Sequence, residues 1–308
     1  GVSEAVTAGV ILSGIYFGDR GAPTSSCASL VAALTETDLY GNVRRMFQTA
    51  ALPYALCLIA YTVLSFRNPI VTVDETMLDA LAESFVISPW ALVPALIMLI
   101  LPLLRVPIRR AISAAAAFVI TVTVQGGSVA DALRIMVVGY HPTEGLLASV
   151  VSGGGLVSML TPFLMIPLAA LYTGILEGTG ALTQAQSVLE RSTERIGRFP
   201  TMILLSLLAA MVLCNQTIVV MMEHQLIGAV YAKDGAEHEE LAMDIANSGV
   251  TIAGLIPWCI ACAVPLSMLG VGVEALPYAC LLYLIPLCYL FTKRFFFPAK
   301  SKGSETPV

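Results

Sequence analysis

Three short stretches of this sequence carry residue types that could hold a small cation or a polar solute. Residues 13–26 read SGIYFGDRGAPTSS and are flanked on both sides by apolar residues. An ionisable group in such a setting is costly to bury, so Asp19 is a functional candidate by default. Its carboxylate could hold Na⁺ and a proton in turn, which is the chemistry of a coupling group. Gly18, Gly21 and Pro23 are expected to unwind a helix here and expose backbone polar groups; Ser25 and Ser26 add hydroxyls. A purely structural reading instead pairs Asp19 with the adjacent Arg20 at an aqueous rim. The second stretch, 247–258, reads NSGVTIAGLIPW and offers Asn247, Ser248 and Thr251 as oxygen ligands beside Gly249 and Pro257. Hard cations take oxygen ligands of this kind, although a kinked packing helix with Trp258 at an interface would use the same residues. The third is Asn215-Gln216-Thr217, in the middle of a long apolar run. Its amides could contact substrate, or bond one another and the turn.

The elements that must position these residues are membrane helices. Residues AVILMFWYC make up 57% of the 308 residues and DEKR only 12%, and the mean hydropathy is +0.84. Soluble domains carry about 25% charged residues. Apolar runs fall at 5–35, 49–66, 88–104, 111–125, 145–177, 199–232, 245–270 and 274–292, and a run of about 20 residues spans a bilayer. Those at 5–35, 145–177, 199–232 and 245–270 are interrupted by polar residues with Gly or Pro. Irregular backbone at membrane depth persists only inside protein or along a watery cavity, so the breaks are where function is sought. Thr161-Pro162 with Pro167 reads as a simple kink, Glu177 as a solvated surface carboxylate, and His224, beside Glu223, as a candidate proton relay.

Basic residues in short loops set the orientation. Arg44 and Arg45 in a 36–48 loop, Arg105, Arg109 and Arg110, the 178–198 loop with Arg191, Arg195 and Arg198, and Lys293 onward should all be cytoplasmic. The acidic 67–87 loop should face outward. Three apolar segments then separate two cytoplasmic regions, so one must enter and return on the same side; 199–232, with its amide-rich centre, is expected to be a re-entrant hairpin. A broken run followed by a helix occurs at 5–66 and again at 245–292 in opposite orientation. The fold expected is therefore an all-α polytopic membrane protein with inverted repeats. Residues 1–66 end the first repeat, 67–87 form an external loop, 88–292 form the second repeat with the hairpin 199–232 and broken helix 245–270, and 293–308 form a cytoplasmic tail.

Several classes are excluded. The net charge of −5, without a long basic tract, gives no nucleic-acid surface. Seven cysteines, an odd number inside apolar runs, are no disulfide framework, and Cys259-x-x-Cys262 lacks a nearby histidine for a metal. His141, His224 and His238 are not spaced for a Ser/His or metal-dependent enzyme, and no repeated filter motif suggests a channel. No cofactor is expected. The chain opens Gly1-Val2-Ser3-Glu4 without a methionine or signal peptide, which reads as a sequence entered midway.

The motif at 13–26, followed by TETDLYGNV at 35–43, resembles the NhaC-type Na⁺/H⁺ antiporter family, whose corresponding stretch is similar to SGAYFGDKxSPxSDTT and TGxDL. NSGVTIAGLIPW at 247–258, with LGV at 269–271 and PYA at 277–279, resembles that family's DxGT…LIPW segment and its sequel. The resemblance implies a cation-coupled secondary transporter of the cell membrane with a missing N-terminal part, Asp19 as coupling acid, and Ser25, Ser26, Asn215, Gln216, Asn247, Ser248 and Thr251 as polar ligands for cation or substrate. The partners implied are Na⁺ and H⁺ or a small organic solute, the lipid bilayer, and a second copy of the chain. The departures are Ser26 and Asn247 where the family carries acids, and Met243 in place of a family arginine. They leave open an amino-acid or carboxylate exchanger on the same frame.

Overall fold

The computed structural model describes residues 3–67, 89–104, 106–126, 128–140, 154–158, 160, 163–164, 167, 171, 174–175, 178, 181–233 and 236–297. Among these there is no β-strand. The expected external loop beyond Arg67, the Thr161-Pro162 kink, Glu177, His141 and the tail after Phe297 lie outside the described residues.

Helix α1 spans Glu4–Gly21 and α2 Ser26–Leu34. The break between them lies later than the glycines suggest. Glycine in a helix costs only about 1 kcal/mol, and α1 runs through Gly18 to Gly21. Proline disfavours helical backbone at the residue before it, and Ala22, preceding Pro23, adopts φ −96°, ψ 137°. Asp19 therefore sits in a last helical turn and not in an unwound strand. Ser25 caps α2, its Oγ accepting from the backbone N–H groups of Cys27 (3.0 Å) and Ala28 (3.2 Å).

Helix α3, Leu39–Arg67, begins inside the expected 36–48 loop, so Arg44 and Arg45 are helical. Asp38 starts it by accepting from Gly41 N–H at 2.6 Å, a capping preference that a hydropathy reading does not register. Residues Ile70–Pro167 form one compact unit. Within it, α4 (Val93–Leu103) packs against α5 (Ile108–Gly126), and α6 (Val129–Val138), capped by Ser128, packs on the helical turn Gly155–Ser158.

The other unit combines residues 2–69 with 168–308. Helix α7, Ala181–Ile196, occupies the expected 178–198 loop; its sparse apolar residues hide it from hydropathy, yet Leu189 packs on the core. Helices α8 (Arg198–Leu213) and α9 (Gln216–Lys233) pack together across a two-residue turn, with Cys214 left-handed at φ 55°. The next segment is broken twice. Helix α10 (His238–Asn247) stops at Ser248, and α11 (Gly249–Ile252) runs into a 3₁₀ turn, Ala253–Leu255. Extended Ile256 then precedes α12 (Ile260–Met268), with a bend of 53°. A 3₁₀ turn at Val273–Tyr278 leads to α13, Cys280–Phe296. Lys293 and Arg294 are thus in the last helix rather than after it, and Lys293 turns inward.

Two close approaches fix α1. A Cβ on Gly9 would lie 2.6 Å from the Ala275 carbonyl oxygen, so only glycine lets α1 meet the 273–278 turn. Ser13 Oγ, 2.6 Å from Tyr61 OH, and Tyr61 OH donating to Tyr278 O at 2.9 Å tie α1, α3 and the approach to α13 together. Tyr16 OH donates to Ala261 O at 2.7 Å across the second break. Among the described residues, Leu39–Arg67 is long and apolar enough to cross a bilayer alone, and 238–255 with 260–268 is a second such span if counted together.

Candidate functional site

Asp19 is partly buried at the C-terminal end of α1, and two elements from elsewhere in the chain reach it. Ser25 Oγ donates to its Oδ1 at 2.8 Å. Gln216 Nε2, from the first turn of α9, donates to its Oδ2 at 2.8 Å and also to the Val250 carbonyl at 3.1 Å. One amide thus joins the acid of the first break to the backbone of the second. Carboxylate, hydroxyl and carbonyl oxygens are the donors a hard cation takes, two of them held in place here by the Gln216 N–H groups, and a carboxylate can exchange that cation for a proton.

The remaining predicted ligands do other work. Ser26 is exposed on the first turn of α2. Asn215 caps α9, its Oδ1 accepting from Thr217 N–H (3.0 Å) and Ile218 N–H (3.3 Å). Ser248 Oγ donates to Asp244 O at 2.6 Å, and Thr251 Oγ1 reaches Asn247 O at 3.3 Å and Ser248 O at 3.1 Å. At Asp244 and Asn247 these hydroxyls take the place of backbone N–H groups that the break diverts, Ser248 N–H to Ile245 O and Thr251 N–H to Ser248 O. Asn247 Oδ1 accepts from Arg20 Nη1.

Arg20 is not paired with Asp19. Only 1% exposed, it donates from Nη2 to the Met46 carbonyl at 2.5 Å and from Nη1 to Asn247, while its Nε and Asn247 Nδ2 have no partner. Among the described residues no carboxylate lies within 4.0 Å of this guanidinium.

Two groups of buried acids escape the sequence reading. Glu223, on α9, is fully buried; Ser206 of α8 donates to its Oε1, and its Oε2 has no partner. Its carboxyl lies against Gly249, where any Cβ would collide with it. The available signal was a lone acid within an apolar run, seven residues after Gln216 on one face of α9. His224, the neighbour the sequence favoured, instead lines a separate 470 Å³ cleft with Glu36, Glu237 and His238. The second group is an ion cluster: Glu240 meets Arg198 (3.1 Å) and Lys293 (2.8 Å), and Asp244 meets Lys293 and the Tyr231 hydroxyl. Lys293 reads in sequence as a solvated tail residue, and nothing local to it announces a buried partner.

The profile of the Na⁺/H⁺ antiporter family matches residues 14–293. The chain is 25% identical over 295 residues to the Na(+)/H(+) antiporter NhaC of Alkalihalophilus pseudofirmus, covering 93% of this chain and 64% of that protein. It is 25% identical over 267 residues to the malate-2H(+)/Na(+)-lactate antiporter of Bacillus subtilis, covering 84% and 57%. It is 26% identical over 293 residues to the arginine/ornithine antiporter ArcD of Halobacterium salinarum, covering 90% and 60%. The chain therefore spans less than two thirds of the length of each of these relatives. No solved structure matches it.

Proposed function

The chain belongs to the Na⁺/H⁺ antiporter family, and on that premise we propose that it is part of a cation-coupled secondary transporter of NhaC type that exchanges Na⁺ for H⁺. The observation that carries this reading is Asp19, held by Ser25 and Gln216 beside a helix break. With Na⁺ bound, the carboxylate is ionised and the surrounding oxygens replace water. With Na⁺ released, a proton on the same carboxyl removes the uncompensated charge. The two states exclude one another, and that exclusion is what couples the two fluxes. The transported site then comprises Asp19, Ser25 and Gln216 with the Val250 carbonyl, while Ser26, Asn215, Asn247, Ser248 and Thr251 shape the turns around it.

The chain sits in the cell membrane as a multi-pass protein with a cytoplasmic C-terminus, in inverted repeats that rock about the breaks. Helix α8 supports the embedding. Leu204, Leu207, Leu208, Met211 and Val212 form an exposed apolar stripe at helical spacing, while its opposite face is buried in the core. With the α8–α9 pair as a re-entrant hairpin, Gln216 reaches Asp19 near mid-membrane. A second copy of the chain is a further proposed partner.

The test is the full-length protein in proteoliposomes with a trapped pH dye. A Na⁺ pulse should drive a pH change that Asp19→Asn reduces to background. An undiminished response in that variant would remove Asp19 from the coupling role.

A second reading, exchange of an amino acid or carboxylate on the same frame, is favoured by one observation. Arg20 is a fully buried guanidinium with, among the described residues, no carboxylate within 4.0 Å and an Nε–H without a partner. The malate-lactate and arginine-ornithine antiporters among the relatives move such solutes. Accumulation of labelled amino acid or dicarboxylate, without Na⁺-driven proton movement, would select this reading.

A further inference from the structure

We propose that Glu223 is a second exchangeable acid of this transporter, taking up and releasing a proton during turnover against Gly249, one residue from the carbonyl that Gln216 joins to Asp19. The proposal rests on the Na⁺/H⁺ reading above and extends it from one titrating carboxyl to two.

The argument begins with burial. Glu223 is 0% exposed, and among the described residues no Lys, Arg or His lies within 4.0 Å of its carboxyl. An ionised carboxylate removed from water without a cation is very costly. Among the described residues, the polar groups found against it are the Ser206 hydroxyl from α8 and the Gly249 backbone from α11, with the Cys27 thiol of α2 within electrostatic reach. None is a cation. Glu223 must therefore carry a proton or meet a mobile cation.

Ser206 makes both states possible. Its hydroxyl has one proton and two acceptors within reach, the Met202 carbonyl at 2.7 Å and Glu223 Oε1. When Glu223 is protonated, its O–H donates to Ser206 Oγ, and Ser206 donates on to Met202 O. When Glu223 is ionised, Ser206 turns and donates to the carboxylate; Met202 O, inside α8, keeps its helical N–H partner. Oε2 is left with an open lone pair in either state. At each of the two acids one H⁺ leaves as one Na⁺ enters beside it, so the buried charge at that acid is unchanged.

Placement ties this acid to the first. Gln216 and Glu223 lie on one face of α9, separated by two turns or about 10 Å. Both touch the same short helix, Gln216 at the Val250 carbonyl and Glu223 at Gly249. Cys27 lies within electrostatic reach of both Asp19 and Glu223. A shift of α11 would change both sites together.

The experiment is difference infrared spectroscopy on the full-length protein in proteoliposomes, with Na⁺-driven pH change measured in parallel. The expected result is a protonated-carboxyl C=O band that responds to Na⁺ and is missing in Glu223→Gln; that variant also loses Na⁺-driven proton flux at least about tenfold, the effect of about 1.4 kcal/mol. A Na⁺-responsive band unaltered in Glu223→Gln, or wild-type flux with an unchanged pH profile, overturns the proposal. Should Glu223→Gln fail to fold, Ser206→Ala retains the acid but removes its hydroxyl partner. The band then shifts in frequency, and an unmoved band overturns the assignment. If the wild type moves no protons with Na⁺ but the Glu223 band responds to an amino acid or carboxylate, the Na⁺/H⁺ reading fails and the exchangeable acid stands.

Discussion

The two helix breaks look alike in sequence, each polar residues among apolar ones with Gly and Pro, yet they act through different parts of the chain. At Ala22–Ser25 the side chains matter: Asp19 leaves α1 with both oxygens engaged by Ser25 and Gln216. At Ser248 the side chains turn back on their own helix, Ser248 to Asp244 O and Thr251 to Asn247 O, and the segment contributes backbone instead. Val250 supplies a carbonyl to Gln216, and Gly249 supplies the space that Glu223 fills. The difference teaches that a polar residue at a break is not by that fact a ligand. Its first call is often the carbonyl that the break has orphaned.

Substitutions can break this comparison. The largest effect belongs to the first break, where Asp19→Asn should take Na⁺-driven proton movement to background in proteoliposomes. Next comes the backbone of the second. Gly249→Ala places a methyl group against the buried Glu223 carboxyl, and overpacking of this kind costs about 1–3 kcal/mol. A lowered melting temperature in detergent, with reduced flux, is the expected outcome; unchanged stability would mean that the break has slack. Gln216→Ala removes one hydrogen bond to a charged group, worth about 1.5 kcal/mol, and should weaken apparent Na⁺ affinity about tenfold. The smallest effects are expected from Ser248→Ala and Thr251→Ala, within about 0.5–1.5 kcal/mol of wild-type stability each and with Na⁺ affinity intact. A large affinity loss in either would make the second break a side-chain site after all.

Much of the candidate site is legible in the chain itself. Asp19 stands out because an acid in an apolar run has few bland explanations, and Gln216 because an amide pair sits at the middle of a long, largely apolar run. The all-helical architecture follows from run lengths and composition. Helix limits are less visible. Asp38 begins α3 ten residues before the apolar run does, and α7 is polar enough to pass for a loop. Both helices start from caps and amphipathic spacing, which hydropathy averages away.

The sequence by itself determined that this chain is helical and apolar, that it breaks at Pro23 and near Gly249, and that one acid marks the first break. Those properties are local, set by side-chain volume, backbone freedom and transfer from water. Only the tertiary structure decided which polar groups meet. Gln216 finds Asp19 across 197 positions and Arg20 finds Asn247 across 227, while Lys293 folds back onto Glu240 and Asp244. Among the described residues Glu223 is left with no cation within 4.0 Å, packed between α8 and α11. A residue's charge is written in its type, but the cost of that charge depends on what packing leaves within a few ångströms.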